Sequence, residues 1–329
     1  MSAVEPIFVS VVVPTYRRPE LLERCLTALL DQDFDADRFE IVVADDGDEA
    51  RVQALVARWA RRTEGAPRLI YVPVRATRGP AGARNAGWRQ AVGTIIAFTD
   101  DDTIPHRRWL KEGCRAMRPE VTAASGRVRV PLPQGPLTDY ERDIARMADA
   151  EFVTANCFVR HDALAAIGGF DERFTAAWRE DSDLQFTLLE RQGNVIRAQR
   201  AVVDHPVRAM RWDERIRAHR KMAFDALLYK KHPRLYRERI GRSPPWTYYA
   251  IVAAALLFLV GLTARSPWLY SIGFAAWLSL TASFCLRRLR GTTHDARHVA
   301  EMIVSSIAIP VVAVFWRLVG AWRFRVRFL

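Results

Sequence analysis

The sequence predicts a layered α/β domain followed by C-terminal transmembrane helices. Three observations predict it. From residue 7 to about 205, short β-branched runs alternate with amphipathic stretches of helical length; two of those runs end in consecutive aspartates; and beyond residue 245 the chain becomes long uncharged apolar blocks. The 329 residues suffice for one sizeable globular domain plus an extra part, and with half of them apolar, general disorder is excluded.

Val9 to Pro14 opens the domain as a strand. The apolar stretch starting at Ile7 follows Glu5 rather than a basic region and lacks a small-residue cleavage site, so no signal peptide is expected. Pro19 starts a helix through Asp31, Phe39 to Ala44 forms the second strand, Glu49 to Arg62 a second helix, and Leu69 to Val74 a third strand. Pro80 to Ala91 reads as helix and Thr94 to Thr99 as the fourth strand; Pro105 to Met117 reads as helix, with proline in the first turn where its missing donor costs nothing. Ala123 to Val130 and Thr154 to Arg160 are strand-like, Thr138 to Ala150 has a helical pattern, and Glu180 to Arg191 reads as a helix ending at Gly193. Asn194 to Asp204 is again strand-like.

Three domains are expected: 1–207 globular, 208–245 a basic amphipathic segment in the membrane interface, and 246–329 a membrane region. Trp246 to Ala264 carries no charge over 19 residues, roughly 28 Å of helix, close to the hydrocarbon thickness of a bilayer. Pro267 to Leu286 is a second such block, and the short connection between the two predicts a helical hairpin. Met302 to Trp316 is interrupted by Pro310 and limited by Arg317, which leaves a re-entrant and a spanning helix equally open. The hairpin returns Arg287, Arg288 and Arg290 to the side of residues 1–207, and the positive-inside rule makes that side cytosolic, at the inner (cytoplasmic) membrane.

The net charge of +12 concentrates in 208–242, 287–297 and 323–327, beside apolar sequence. That distribution fits anionic headgroups, so membrane lipids are the expected partner and nucleic acid is not. The cysteines Cys25, Cys114, Cys157 and Cys285 lack any paired spacing, which argues against a zinc ribbon or a disulfide framework.

Asp100-Asp101-Asp102 ends the apolar run Thr94 to Thr99. Three like charges so close raise one another's pKa unless a cation offsets them, and a divalent ion on carboxylate oxygens does so economically. An isolated triplet reads as a solvated acidic turn. Here Asp45-Asp46-Gly47 repeats the pattern at the end of the second strand, and Glu180-Asp181 adds a third acidic pair.

In order along the chain, Val-Ser-Val-Val-Val-Pro-Thr-Tyr-Arg-Arg at 9–18, Asp45-Asp46-Gly47, the run Arg78 to Gly87, Asp100 to Asp102, and Trp178-Arg179-Glu180-Asp181 resemble the family 2 glycosyltransferases of GT-A fold. The resemblance covers about residues 7–205, and more loosely the C-terminus resembles membrane-attached members. It implies a Rossmann-like GT-A domain, a nucleotide-sugar donor, a lipid-linked or saccharide acceptor, and Mg²⁺ or Mn²⁺.

On that resemblance Asp46 accepts from a base N–H, with Pro14, Thr15 and Tyr16 bordering the base and Arg84 reaching the base or the phosphates. Asp102 is the metal ligand, Asp100 faces the ribose or a metal-bound water, and Asp101 belongs to the donor site without a defined role. His205 stands where some relatives carry an additional metal or phosphate ligand, or is structural. The acceptor hydroxyl needs a base, for which Asp181 is the candidate, with Glu180 and the flat ring of Trp178 on the acceptor side. Inversion at the anomeric carbon is implied by the family alone. No Gln-any-any-Arg-Trp motif follows the acidic pair, which favours single sugar addition over processive synthesis. Two rival readings stand beside this one: a haloacid dehalogenase-like phosphohydrolase, and a catalytically silent membrane-anchored sugar-nucleotide binder.

Overall fold

The computed structural model describes residues 8–191, 193–208 and 211–328. They form two compact units, Met1–Pro131 with Ala145–Val207, and Leu132–Ile144 with Arg208–Leu329.

The first unit runs β1 (Val9–Thr15), α1 (Pro19–Leu30), β2 (Phe39–Asp45), α2 (Ala50–Arg62), β3 (Arg68–Pro73), α3 (Pro80–Trp88), β4 (Ile95–Thr99), β5 (Ile104–Pro105), α4 (Trp109–Ala116) and β6 (Ala123–Arg129). After an excursion holding most of α5 (Asp139–Ala145), it resumes with β7 (Asn156–Arg160), α6 (His161–Ile167), α7 (Glu180–Glu190) and β8 (Val195–Asp204). The described strands make one sheet in the order β3-β2-β1-β4-β7-β6-β8-β5. β3, β2, β1 and β4 are mutually parallel, while β7 runs against both β4 and β6.

Side chains alternate across the pleat, so the strands feed two cores. Val9, Val11 and Val13 of β1 pack with Leu22 and Leu26 of α1, Val52 of α2 and Trp109 of α4. Val12, on the other face, packs with Ala81 of α3, Leu164 of α6 and Leu184 of α7. Strands buried on both faces read as the near-continuous apolar runs the sequence displays.

Several expected boundaries move. The helix from Pro80 stops at Trp88. The helix expected from Pro105 begins at Trp109; Ile104–Pro105 instead pairs with β8 at the edge of the sheet, where proline's missing N–H does little harm. The expected helix 138–150 divides into α5 and a 3₁₀ turn, Arg146–Asp149, and α6 was not expected at all.

Beyond residue 207, α8 (Trp212–Ala218), a 3₁₀ turn (His219–Met222), α9 (Ala223–Lys231) and α10 (Pro233–Arg239) precede α11 (Trp246–Thr263), α12 (Pro267–Leu289) and α13 (Ala296–Arg323). Three helices, α11, α12 and α13, are long and apolar enough to cross a membrane. The third apolar block, for which a re-entrant and a spanning helix were equally open, lies in one continuous helix of 28 residues, with Pro310 and Arg317 both on its buried face.

Candidate active site

β1 lies between β2 and β4, so the chain winds outward on one side of β1 and then reverses to the other. Such a reversal opens a crevice at the carboxyl ends of the two strands, the usual ligand position of open α/β sheets. The end of β1 supplies Thr15 to this crevice and the end of β4 supplies the aspartate triplet. Thr15 Oγ1 donates to Asp101 at 2.7 Å, closing the two strand ends on each other. Thr15, expected beside a base, is therefore buried and committed to Asp101. Pro14 sits opposite Ala44 in the β1–β2 register, and Tyr16 is 45% exposed with the Arg17 guanidinium over its ring.

The three aspartates have separate partners. Asp100 accepts from Arg84 Nη2 at 2.8 Å, and its carbonyl accepts from the Thr103 amide and hydroxyl. Asp101 also accepts from Arg18 Nη1 at 3.4 Å. Asp102 lies 3.7 Å from the same Arg18 nitrogen and 3.4 Å from His205 Nε2. Two arginines thus supply part of the counter-charge the triplet demands. It is incomplete, because burial and then the neighbouring Asp102 push the Asp101 carboxyl up to about 6.

Arg84, expected to reach the base or the phosphates, is buried beside the tip of β4. Its guanidinium is 3% exposed and occupied by carboxylates, Asp100 through Nη2 and Glu180 Oε1 through Nη1 at 3.2 Å. It ties the tip of β4 to the first turn of α7. That link brings Asp100, Glu180 and Asp181 within reach of one another's charges: burial, then Asp181, drives the Glu180 carboxyl upward, with Asp100 adding to it. Asp181 is raised too, chiefly by desolvation, although its Oδ1 accepts from the Ser182 amide at 2.7 Å. Arg179, which enters α7, has a left-handed backbone with φ of 76°, a costly conformation for a residue with a Cβ. Its guanidinium lies 4.5 Å from the ring centre of Trp178, so the indole expected to meet a sugar carries a cation on its face.

The second acidic pair divides its labour. Asp45 is fully buried and closes its own turn, accepting from the Gly47 and Glu49 amides and from the Tyr71 hydroxyl. Asp46 Oδ2 accepts from the Gly79 amide at 2.9 Å, whereas its buried Oδ1 has no hydrogen-bond partner among the described residues. A buried acceptor left unpaired costs stability, and Asp46 is the one of the pair with a vacant lone pair for a ligand's N–H.

Among the described residues no group of three or more His, Cys, Asp or Glu is arranged to hold a metal. Asp102 and His205 form a pair instead, with His205 Nδ1 buried and without a hydrogen-bond partner. Two protein donors fit a cation whose remaining ligands come from a diphosphate and water, as Mg²⁺ commonly arranges. A groove of about 570 Å³ is lined by Arg127, Arg129, Arg197 and Asp149, and the Arg129 carbonyl accepts from the His205 amide.

Arg18 was read only as part of a motif. Its signal was present, in that the triplet required a nearby cation, but pairing across 83 residues follows from strand order rather than from spacing.

The Glycosyl transferase family 2 model matches residues 10–167, and the Glycosyl transferase family group 2 model matches residues 95–286. Glycosyltransferase AglE of Haloferax volcanii is 29% identical over 172 residues, 50% of this chain and 56% of that protein. The GalNAc(5)-diNAcBac-PP-undecaprenol beta-1,3-glucosyltransferase of Campylobacter jejuni is 34% identical over 94 residues, 28% of this chain and 29% of that protein. The chain spans about half the length, or less, of these curated relatives. The mannosyltransferase PcManGT from Pyrobaculum calidifontis, solved with GDP-Man and Mn²⁺, superimposes with a TM-score of 0.60 at 23% identity, covering 95% of this chain and 90% of that one.

Proposed function

We propose, for a chain that belongs to the family 2 glycosyltransferases, a metal-dependent and inverting transfer of a sugar from a nucleotide-diphosphate sugar to a lipid-linked or saccharide hydroxyl at the cytosolic face of the inner membrane. The observation that carries it is the Arg84 bridge, which holds the aspartate tip of β4 and the acidic start of α7 at one crevice. Donor and acceptor chemistry then meet across it.

Asp46 takes a base N–H on its vacant Oδ1, beside Tyr16. Asp102 and His205 hold Mg²⁺ or Mn²⁺ together with the diphosphate, and a cation so placed stabilises the charge that develops on the leaving group. PcManGT, with its Mn²⁺ and GDP-Man, supports this reading. Arg18 and Arg84 hold the carboxylates in place. Asp181 takes the proton from the acceptor hydroxyl, and its carboxyl, raised chiefly by desolvation, is a stronger base when ionised than an exposed carboxylate. The arginine-lined groove on β6 and β8 suits an acceptor carrying phosphate, and the undecaprenol-linked substrate in the name of the Campylobacter relative is of that kind. Membership of another family removes the phosphohydrolase alternative.

The test measures sugar-nucleotide binding by calorimetry and transfer by nucleotide release, with Mn²⁺ and a panel of UDP-, GDP- and dTDP-sugars. Asp181→Asn is expected to keep nucleotide binding and to lose transfer by about 10²-fold or more. Asp102→Asn is expected to weaken metal-dependent nucleotide binding. Full turnover by Asp181→Asn removes the base assignment, unchanged binding by Asp102→Asn removes the metal site, and binding without any turnover by the unaltered chain makes it a silent binder.

A further inference from the structure

α13 holds the most apolar 18-residue stretch of the three long helices, yet 44% of that stretch is buried within the protein, against 17% for the corresponding stretches of α11 and α12. What buries it decides where it lies. Its inward face packs against α8, the 3₁₀ turn and α9 as well as against α11 and α12. At one end Arg288, at the close of α12, donates to Ser305 and Ser306 and also to Asp139, which in turn accepts from Arg215 of α8. At the other end Gly320 meets the backbone of Ala223 so closely that a Cβ would lie 2.4 Å from its carbonyl oxygen. Just beyond, Lys230 of α9 donates to the Phe324 carbonyl at 2.8 Å, and Phe328 packs its ring on Tyr229 and Tyr236.

The stretch from α8 to α9 therefore accompanies α13 from Ser305 to its end. That stretch contains Asp213, Glu214, Arg217, Arg220, Lys221 and Lys231, and a segment so charged does not enter hydrocarbon. A helix held along it stays at the same depth. The whole helix is long enough to cross, but its uncharged run between Glu301 and Arg317, Met302 to Trp316, covers only about 22 Å, short of the roughly 30 Å hydrocarbon core. The outward face is an apolar stripe, with Ile303, Ile307, Val311, Phe315, Leu318 and Trp322 all exposed.

We propose that α13 does not cross the membrane but lies along its surface, with this stripe set into the acyl boundary of the lipid. The hairpin α11–α12 is then the sole crossing among the described residues, and residues 290–328 return to the side of residues 8–245. The proposal rests on the reading above that the hairpin crosses.

Single cysteines in the full chain, labelled with a membrane-impermeant maleimide in right-side-out and inverted vesicles and corrected for labelling of the unaltered chain, test it. Arg327→Cys is expected to react only in inverted vesicles and Ser266→Cys, in the α11–α12 turn, only in right-side-out ones. Arg327→Cys reacting from the outside overturns the placement of α13 while the hairpin stands. Ser266→Cys reacting from the cytosolic side overturns the crossing hairpin, and this placement with it. Nitroxides at Ile303→Cys, Val311→Cys and Leu318→Cys should report one shallow depth; a maximum at the bilayer centre for Val311→Cys counts against a surface helix.

Discussion

At the residue scale the aspartate triplet is a store of unfavourable charge. Asp101 is the clearest case, its carboxyl moved from an ordinary 3.8 to about 6 by burial and by Asp102. A folded-state pKa above the unfolded one means that the native state holds the proton more tightly, so this group stabilises the fold below about pH 4. The contribution is lost as the pH rises through 6, and the full cost, at most roughly 3 kcal/mol, remains above that. Asp101→Asn keeps an acceptor for Thr15 and removes the charge. Its melting temperature is expected to match the unaltered chain near pH 4 and to exceed it above pH 6, by a few degrees; parallel curves would show that the charge is not strained. On the proposed reading Mn²⁺ with nucleotide would supply the missing cation, and its stabilisation of the unaltered chain should then be larger at pH 7.5 than at pH 5.5.

At the scale of elements, loops and helix starts set the aspartates' geometry. Gly79 precedes α3 with φ of 104°, and its amide holds Asp46 Oδ2. A Cβ there would come within 2.7 Å of the Thr175 carbonyl oxygen. Gly79→Ala is expected to cost about 1–3 kcal/mol in a denaturant titration and to weaken nucleotide binding more than Asp48→Ala, an exposed neighbour, does. Equal effects of the two would mean that the Gly79 amide does not position Asp46. The β-branched runs and the proline-led helices of the first half were legible in the sequence, because local propensity and burial agree there. β5 and α6 were not, since a two-residue edge pairing and a two-turn helix carry too little periodicity to stand out.

At the scale of the whole molecule, both cores of the α/β unit close within residues 9–203. A chain ending at residue 207 is expected to remain monomeric without detergent and to bind nucleotide. One ending at residue 242 keeps α9 but loses α13, leaving Phe224, Leu227 and Leu228, buried in the intact chain, open to water, and it should associate unless detergent is present. Size-exclusion chromatography of the two fragments separates these outcomes, and a well-behaved 1–242 fragment would mean that α9 needs no cover.

Apart from β5, the strands and helices of the first half were determined by the sequence alone, as were the apolar blocks and the acidic strand ends, because each is written in local pattern: period, β-branching, charge. Which aspartate does what was decided by tertiary structure. Asp45 and Asp46 are adjacent and chemically identical, yet one closes a turn and the other keeps a vacant oxygen. Arg84, expected to reach the base or the phosphates, bridges Asp100 and Glu180, the latter 96 residues along the chain. The third apolar block left re-entrant and spanning forms open, and it lies in one continuous helix packed against α8 and α9. A side chain's partners come from strand order and packing over long sequence separations, and no local pattern encodes them.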